Sequence, residues 1–190
     1  GTFTPEREKQ AKRVQEYLNY QLLEVMTEYR SETEKLLFSL PLAGSAFRKI
    51  YFDPSLGRPT SMFVPAEDFV VAYNEADLGQ AERYTHVMNR STNQVKKLQV
   101  SGFYRDVELT PSHAESNPVT DKYLDIGGVK PSYENDERHQ LLEMHVDLDL
   151  PGFESADEVA LPYVITVDKG NSTILSIYRN WAEDDPHKIK

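Results

Sequence analysis

Acidic and imidazole side chains alternate with apolar ones along the stretch His139–Leu150. Glu143, His145, Asp147 and Asp149 occupy every second position, which is the period of a β-strand and places the four side chains on one face. Carboxylate and imidazole groups in this arrangement could bind a hard divalent cation. A solvent-facing strand has the same alternation, however, and we favour that interpretation over a metal site.

His86 and the adjacent acids Glu67 and Asp68 could support acid–base chemistry. His86 lies in the predicted strand Arg83–Asn89, and an imidazole there could act as a general base. No second histidine or acid stands at a recognisable triad or metal-ligand spacing, so a cross-strand hydrogen bond is the better interpretation. Neighbouring residues of an extended chain point to opposite sides, so we expect Asp68 to accept a hydrogen bond in a turn.

Sequence motifs for common chemistries are absent. The chain has no phosphate-binding loop, no dinucleotide fingerprint, no nucleophile elbow and no HExxH helix. It has no cysteine, which excludes a thiolate nucleophile, a thiolate metal site and a disulfide. The residues therefore assign no catalytic, cofactor-binding or metal site. The enzyme hypothesis is limited to a small metal-dependent hydrolase that uses His86 or the row Glu143, His145 and Asp147, and a free-standing binding domain is a further alternative.

A long amphipathic helix is predicted at the N-terminus. Thr4 is a suitable N-cap, Pro5 is favoured at the first helical position, and the helix is predicted to break near Arg30. Apolar residues recur at steps of three and four and form one stripe: Ala11, Val14, Leu18, Leu22, Val25 and Tyr29. Such a stripe either binds a partner or packs on its own domain, and we favour packing on its own domain.

Two Ser-x-x-Glu or Ser-x-x-Gln patterns predict capped helix starts. Ser31–Glu34 is predicted to open a short helix that Pro41 and Gly44 end. Ser91–Gln94 is predicted to open a second short helix that ends at Gly102.

Extended segments make up much of the remaining chain. A meander of three strands is predicted over Ala46–Phe52, Thr60–Val64 and Phe69–Tyr73. Near the C-terminus, Tyr163–Asp168 and Thr173–Arg179 are predicted to form a hairpin, with Gly170 and Asn171 at the positions of positive φ.

These elements predict an α+β fold in which a long N-terminal amphipathic helix and short helices pack on a mostly antiparallel sheet. Charge is spread evenly along the chain, so the sequence predicts a single domain over residues 1–190. The segment 110–136 is rich in Pro, Ser and Gly and is predicted to be a loop or insertion.

The composition limits the possible partners. The formal net charge is −10, from 21 basic and 31 acidic residues, whereas a protein that grips duplex DNA usually presents a basic face. No apolar run approaches the roughly 18 residues that a membrane-spanning helix needs. We therefore expect neither tight nucleic-acid binding nor membrane insertion.

Several long blocks, in order along the chain, resemble the portal proteins of tailed bacteriophages, most of all the class of short-tailed phages similar to P22. The blocks are GSAFRKIYFDPSLGRP, VPAEDFVVAY, RYTHVMNRSTNQVKKLQVSGFYRDV, PYVITVDK and ILSIYRNWAEDDP. The resemblance covers nearly the whole chain and is weakest over residues 110–137. It implies that the chain is the outer, wing-type α+β part of a larger portal subunit.

The resemblance also implies a structural role without catalysis or a cofactor. Portal subunits form a ring, typically dodecameric, at one capsid vertex, and the implied partners are other portal subunits, the terminase, capsid or scaffolding protein and a tail adaptor. Double-stranded DNA would pass the channel without sequence-specific binding. The implied location is the virion, after assembly in the bacterial cytoplasm. If ring contacts lie in other parts of the subunit, the chain alone would be a monomer.

Overall fold

The computed structural model describes residues 4–53, 56–113, 118–126, 128, 137–152, 159–182 and 184–185. The contacts within the chain separate two compact units, Gly1–Phe69 and Val70–Lys190. The predicted α+β class is confirmed, since helices accompany antiparallel sheets. No shift in composition marks the boundary at Phe69, so the sequence predicts one domain where the contacts distinguish two units.

The first unit consists of helices followed by a β-hairpin. Its elements are α1 (Pro5–Tyr20), a π-helical turn (Gln21–Val25), α2 (Tyr29–Ala43), β1 (Ala46–Asp53) and β2 (Arg58–Pro65). A glycine closes the hairpin turn: Gly57 has a φ of 62° and its N–H donates to the carbonyl of Asp53 at 2.8 Å.

The helix boundaries differ from the prediction in two places. The chain leaves the helical conformation at Met26, before the predicted break, and Ser31 lies inside α2, where its hydroxyl donates to the carbonyl of Glu28 at 2.9 Å. The predicted capping box at Ser31 is therefore wrong. Pro41 does not end α2, which continues to Ala43 although the proline lacks the N–H for one helical hydrogen bond. Gly44, with a φ of 74°, ends the helix as predicted.

The predicted packing of the N-terminal stripe is wrong for its first half. Every residue of α1 is exposed, including Val14 at 57% and Leu18 at 52%. From the π-helical turn onward the stripe becomes half-buried at Leu22 and Val25, and Met26 is fully buried. An apolar stripe indicates that a helix has an apolar side. Whether that side is buried depends on elements that are distant in the sequence.

Two carboxylates of the α2 region bind the outer edge of β2. Glu28 accepts a hydrogen bond from the Arg58 guanidinium at 2.8 Å and from the backbone N–H of Ser61 at 3.2 Å. One helical turn later, Glu32 accepts the backbone N–H of Phe63 at 2.7 Å. The alternate N–H groups that β2 points away from β1 are thus satisfied by side chains instead of by a third strand.

These contacts set the ionisation of both carboxyls. Burial raises the pKa of Glu28, but its own backbone N–H, Arg58 and the Ser61 N–H outweigh burial and leave the pKa below the ordinary value of 4.5. Burial likewise raises the pKa of Glu32, and Lys35 with the Phe63 N–H more than offsets it, so this pKa is lowered too. Both groups bind better as carboxylates than as acids.

The second unit is built on one sheet. Its strands and helices are β3 (Phe69–Val71, which contains the boundary), β4 (Arg83–Ser91), α3 (Thr92–Val100), β5 (Ser112–His113), α4 (Pro118–Ile126), β6 (Glu137–Leu148), β7 (Leu161–Asp168) and β8 (Thr173–Arg179). The strand order is β3-β4-β6-β7-β8, with β5 also paired to β6. The third strand of the predicted meander therefore belongs to this sheet beside β4, and not to the β1–β2 hairpin.

Apolar side chains cover both faces of this sheet. On one face α3 packs through Val95 against Met88, Leu141 and other buried residues. On the other face Leu161, Tyr163 and Ile165 form a second cluster, which Trp181 joins edge-on to Tyr163 at 5.4 Å. The second unit therefore has a core of its own.

Two local predictions in this unit have different outcomes. The capping box of α3 is confirmed: the Ser91 hydroxyl accepts the Gln94 N–H at 3.4 Å and the Gln94 side chain accepts the Ser91 N–H at 3.1 Å. In the β7–β8 loop, however, the positive φ belongs to Ser172 and not to Gly170 or Asn171. Asn171 instead uses its side chain to hydrogen-bond Asp168 and Thr110.

The predicted loop or insertion over residues 110–136 is only partly within the described chain. β5 and α4 lie in it, while residues 114–117, 127 and 129–136 lie outside the described residues. None of the described helices is long and apolar enough to cross a bilayer.

We predict that Glu32→Gln destabilises the first unit at neutral pH but not in acid. Losing a charge-assisted hydrogen bond should lower the free energy of unfolding by about 1–2 kcal/mol at pH 7. Because the folded pKa of Glu32 is lowered, the wild-type contribution exists above the unfolded pKa and is lost as pH falls through the folded pKa. Urea unfolding at pH 7 and pH 3, with the Phe63 amide followed by hydrogen exchange, measures both. Glu34→Gln is the control, because Glu34 pairs only with the exposed Arg30; equal losses for the two variants would contradict the docking role.

We also predict that Ser91→Ala costs about 1 kcal/mol of stability while Ser31→Ala costs much less. Both serines begin a Ser-x-x-Glu/Gln pattern, but only Ser91 satisfies helix N–H groups. Ser31 donates to a carbonyl at the surface of α2. Thermal unfolding of the two variants compares them directly, and a larger loss for Ser31→Ala would contradict the assignment.

Candidate functional site

The predicted acidic row lies on β6, the middle strand of the second unit's sheet. β6 pairs with β4 on one side and β7 on the other. The Glu143 carboxylate lies 3.4 Å from His145 Nε2, and the His145 ring stacks on Tyr84 with ring centres 4.6 Å apart. Both side chains are half-buried rather than solvent-facing as predicted, because flanking strands supply neighbours on each side of a central strand.

The rest of the row does not join this pair. The Asp147 N–H donates to the carbonyl of Glu82 at 3.2 Å, and burial, with the nearby charge of Glu82, raises the pKa of Asp147. Asp149 lies beyond the end of β6. Within the described ranges no three His, Asp or Glu side chains form a group that could hold a metal ion.

His86 lies next to a polar residue of the neighbouring strand, as a cross-strand hydrogen bond would require. It stands directly opposite Glu143 in the antiparallel pair of β4 and β6 and is buried. Burial, with the charge of Glu143, also raises the pKa of Tyr84 two residues earlier. Tyr84, His86, Glu143 and His145 therefore form one polar cluster across two strands, with its members directed at one another.

The adjacent acids occupy a single turn in the first unit. Glu67 and Asp68 belong to the 3₁₀ turn Ala66–Asp68, which Pro65 precedes and which no side chain caps. Asp68 is the last residue of this turn and not its cap. Burial, and secondly the charge of Glu67, raise the pKa of Asp68. The pair does not face a second catalytic group that the structure describes.

A more deeply buried polar group lies at the β7–β8 loop, and local sequence patterns do not predict it. His139 and Asp168 are each 1% exposed, and His139 Nδ1 lies 3.5 Å from Asp168 Oδ1. The other oxygen of Asp168 accepts hydrogen bonds from the backbone and side-chain N–H groups of Asn171. On the other side of the ring, His139 Nε2 lies 3.5 Å from the hydroxyl of Thr92, the first residue of α3.

This hydroxyl, imidazole and carboxylate follow the order of a nucleophile–base–acid relay. Both separations exceed the roughly 2.6–3.2 Å of a working nucleophile–base pair. The imidazole and the carboxylate are enclosed, so that only Thr92 reaches the surface. The arrangement is suited to joining α3, β6 and the hairpin loop, and we assign it that positioning role.

The first unit presents the largest candidate interaction surface. Its only fully buried apolar side chains among the described residues are Met26 and Val64. The exposed apolar side chains, here called the uncovered surface, are Val14, Tyr17, Leu18, Tyr20 and Leu23 on α1 and its π-helical turn, Leu37, Phe38, Leu40 and Leu42 on α2, Ile50 and Phe52 on β1, and Leu56. Many large exposed apolar side chains on one small unit are typical of a binding surface.

No known protein family matches the sequence, and no curated protein is significantly similar to it. Two features of the structure bear on function: the polar clusters of the second unit and the uncovered surface of the first.

We predict that Asp168→Ala lowers the free energy of unfolding by about 3 kcal/mol, because it takes the carboxylate away from the buried imidazole of His139 and leaves the Asn171 N–H groups without their acceptor. Asp106→Ala is the matched control, since Asp106 pairs with Lys96 at the surface and such pairs contribute about 0–1 kcal/mol. Chemical unfolding of both variants measures the difference. Similar small losses would contradict the positioning role of Asp168.

Proposed function

We propose that this chain is a structural module of a tailed-phage portal, the ring at one capsid vertex through which DNA is packaged and later leaves. One observation carries the proposal: the uncovered surface of the first unit, on α1, α2 and β1. The resemblance of the sequence blocks to portal proteins supplies the identity of the assembly, and the uncovered surface supplies the physical reason for assembling.

The first unit buries too little apolar surface to account for its order. Burial of apolar side chains is the main favourable term in folding, and a unit of this size is marginal even with a full core. Among the described residues of this unit, Met26 and Val64 are the buried apolar side chains, while twelve large ones are at least 41% exposed. Such a unit is stabilised further when a second protein surface covers it, which is the situation of a subunit inside a ring.

A closed ring requires two different surfaces on each subunit, since one face of a subunit meets another face of its neighbour. The first unit offers separate apolar regions on α1 and on the C-terminal half of α2. We propose neighbouring portal subunits, twelve in the full ring, as the partners of this unit. Terminase, capsid or scaffolding protein and a tail adaptor complete the proposed partners, with assembly in the bacterial cytoplasm and final location in the virion.

The negative charge of the chain suits a channel that DNA passes through better than a protein that binds DNA tightly. A net charge of −10 disfavours the phosphate contacts that supply most of the affinity for duplex DNA. The metal-dependent hydrolase has no comparable support, because Glu143 and His145 face Tyr84 and His86 while Asp147 lies beside Glu82. The structural role is therefore our single proposal.

We predict that Leu18→Glu weakens assembly of the chain through α1 while Leu23→Glu does not. Both leucines are exposed, at 52% and 74%, but only Leu18 belongs to the stripe, so a charge there would be buried in the contact. Sedimentation velocity over a concentration series should show species larger than a dimer for wild type and Leu23→Glu, and fewer for Leu18→Glu. A wild-type chain that stays small at every concentration, or equal effects of the two variants, would count against a contact through this stripe.

A further inference from the structure

The two edges of the β1–β2 hairpin differ in whether their outward backbone groups have partners. The edge of β2 is blocked, since Glu28 and Glu32 bind its outward N–H groups. Among the residues that the structure describes, the sheet contains these two strands, so the other edge, that of β1, has no described strand beside it. This edge carries Ile50 and Phe52, which are 65% and 62% exposed.

The register shows which backbone groups the β1 edge presents. Residues of an antiparallel pair alternate between pairs that bond each other and pairs that point outward. Ser61 and Phe63 point outward from β2, and they stand opposite Ile50 and Arg48. The N–H and C=O groups of Arg48, Ile50 and Phe52 therefore point away from β2, toward the open side of β1.

We propose that this edge pairs with β1 of a second copy of the chain, in an antiparallel arrangement centred on Ile50. An open edge recognises an extended strand through its backbone groups, and β1 of another copy is itself such a strand. The pairing converts two hairpins into one four-stranded sheet. It uses the β1 part of the uncovered surface, whereas the ring contact tested above is placed on the stripe of α1, so either contact can fail without the other.

The side chains of β1 favour this centre. Pairing around Ile50 places Lys49 opposite Tyr51 of the second copy, a cation beside an aromatic ring, and opposes no like charges. Arg48 stands opposite Phe52, while its guanidinium stays on its own α2, bonded to the Thr33 hydroxyl at 2.7 Å and over the Tyr29 ring. Lys49 already lies over the ring of Tyr51 in its own chain, 5.0 Å from the ring centre. Centring the pair on Arg48 or on Lys49 would instead oppose two like charges.

The backbone also favours this centre over its neighbour. Around Ile50, the outward residues Arg48, Ile50 and Phe52 all find outward partners, which gives six hydrogen bonds from three pairs that each exchange about two. A pair centred on Tyr51 would place Arg48 opposite Pro54, which has no N–H to donate. The contact is isologous and closes as a dimer.

Disulfide formation in single-cysteine variants tests the pairing, since the chain has no cysteine of its own. Ile50→Cys places two thiols at the centre, where Cα atoms of a hydrogen-bonded pair are about 5.5 Å apart, within the range of a disulfide. Lys97→Cys, at an exposed position of α3 outside both proposed contacts, is the collision control, and Tyr51→Cys reports the neighbouring register. At ~10 µM chain, an associated pair with a millimolar local concentration should cross-link about 100-fold faster than the control.

Each outcome decides the proposal. Faster cross-linking of Ile50→Cys than of both other variants, together with a dimer of the wild-type chain in sedimentation velocity, supports it. Equal rates for Ile50→Cys and Lys97→Cys overturn the edge contact, and a fastest Tyr51→Cys overturns the register. Because Leu18→Glu leaves β1 unchanged, loss of the larger species with retention of the dimer separates this contact from the proposed ring contact.

Discussion

The carboxylates of Glu28 and Glu32 are the contacts on which the first unit depends. With few apolar side chains enclosed, α2 is held to the hairpin by charge-assisted hydrogen bonds from the backbone of β2 and from Arg58. The lowered pKa of each carboxyl expresses the same fact, since hydrogen bonds and cations outweigh the cost of burial. This docking leaves the helical surface uncovered and β1 open along its outer edge.

The second unit is stabilised in the ordinary way. Its central strand β6 has a neighbour on each side and apolar clusters on both faces of the sheet. The histidines of its polar clusters contact other side chains of the same unit. His145 contacts Glu143 and Tyr84, and His139 lies between Asp168 and Thr92. Groups that face one another in this way position strands and loops.

The contrast between the units leads to the proposed role. A unit with its own core can act as a rigid support, and a unit with uncovered apolar side chains gains stability from a neighbour. An assembly subunit needs both properties. The open edge of β1 adds a backbone-directed contact to the apolar one, with a register that the side chains themselves restrict.

The sequence by itself determined the features that a few neighbouring residues decide. These are the start of α1 at Pro5, the cap of α3 at Ser91, the end of α2 at Gly44, the hairpin turn at Gly57 and the alternation along β6. Only the tertiary structure decided that Ser31 is not a cap, that the stripe of α1 is uncovered, that β3 joins the second sheet, and that Asp168 meets His139. Caps, turns and periodicity are local effects of backbone geometry. Burial and edge pairing depend on partners that are distant in the chain, and no local pattern encodes them.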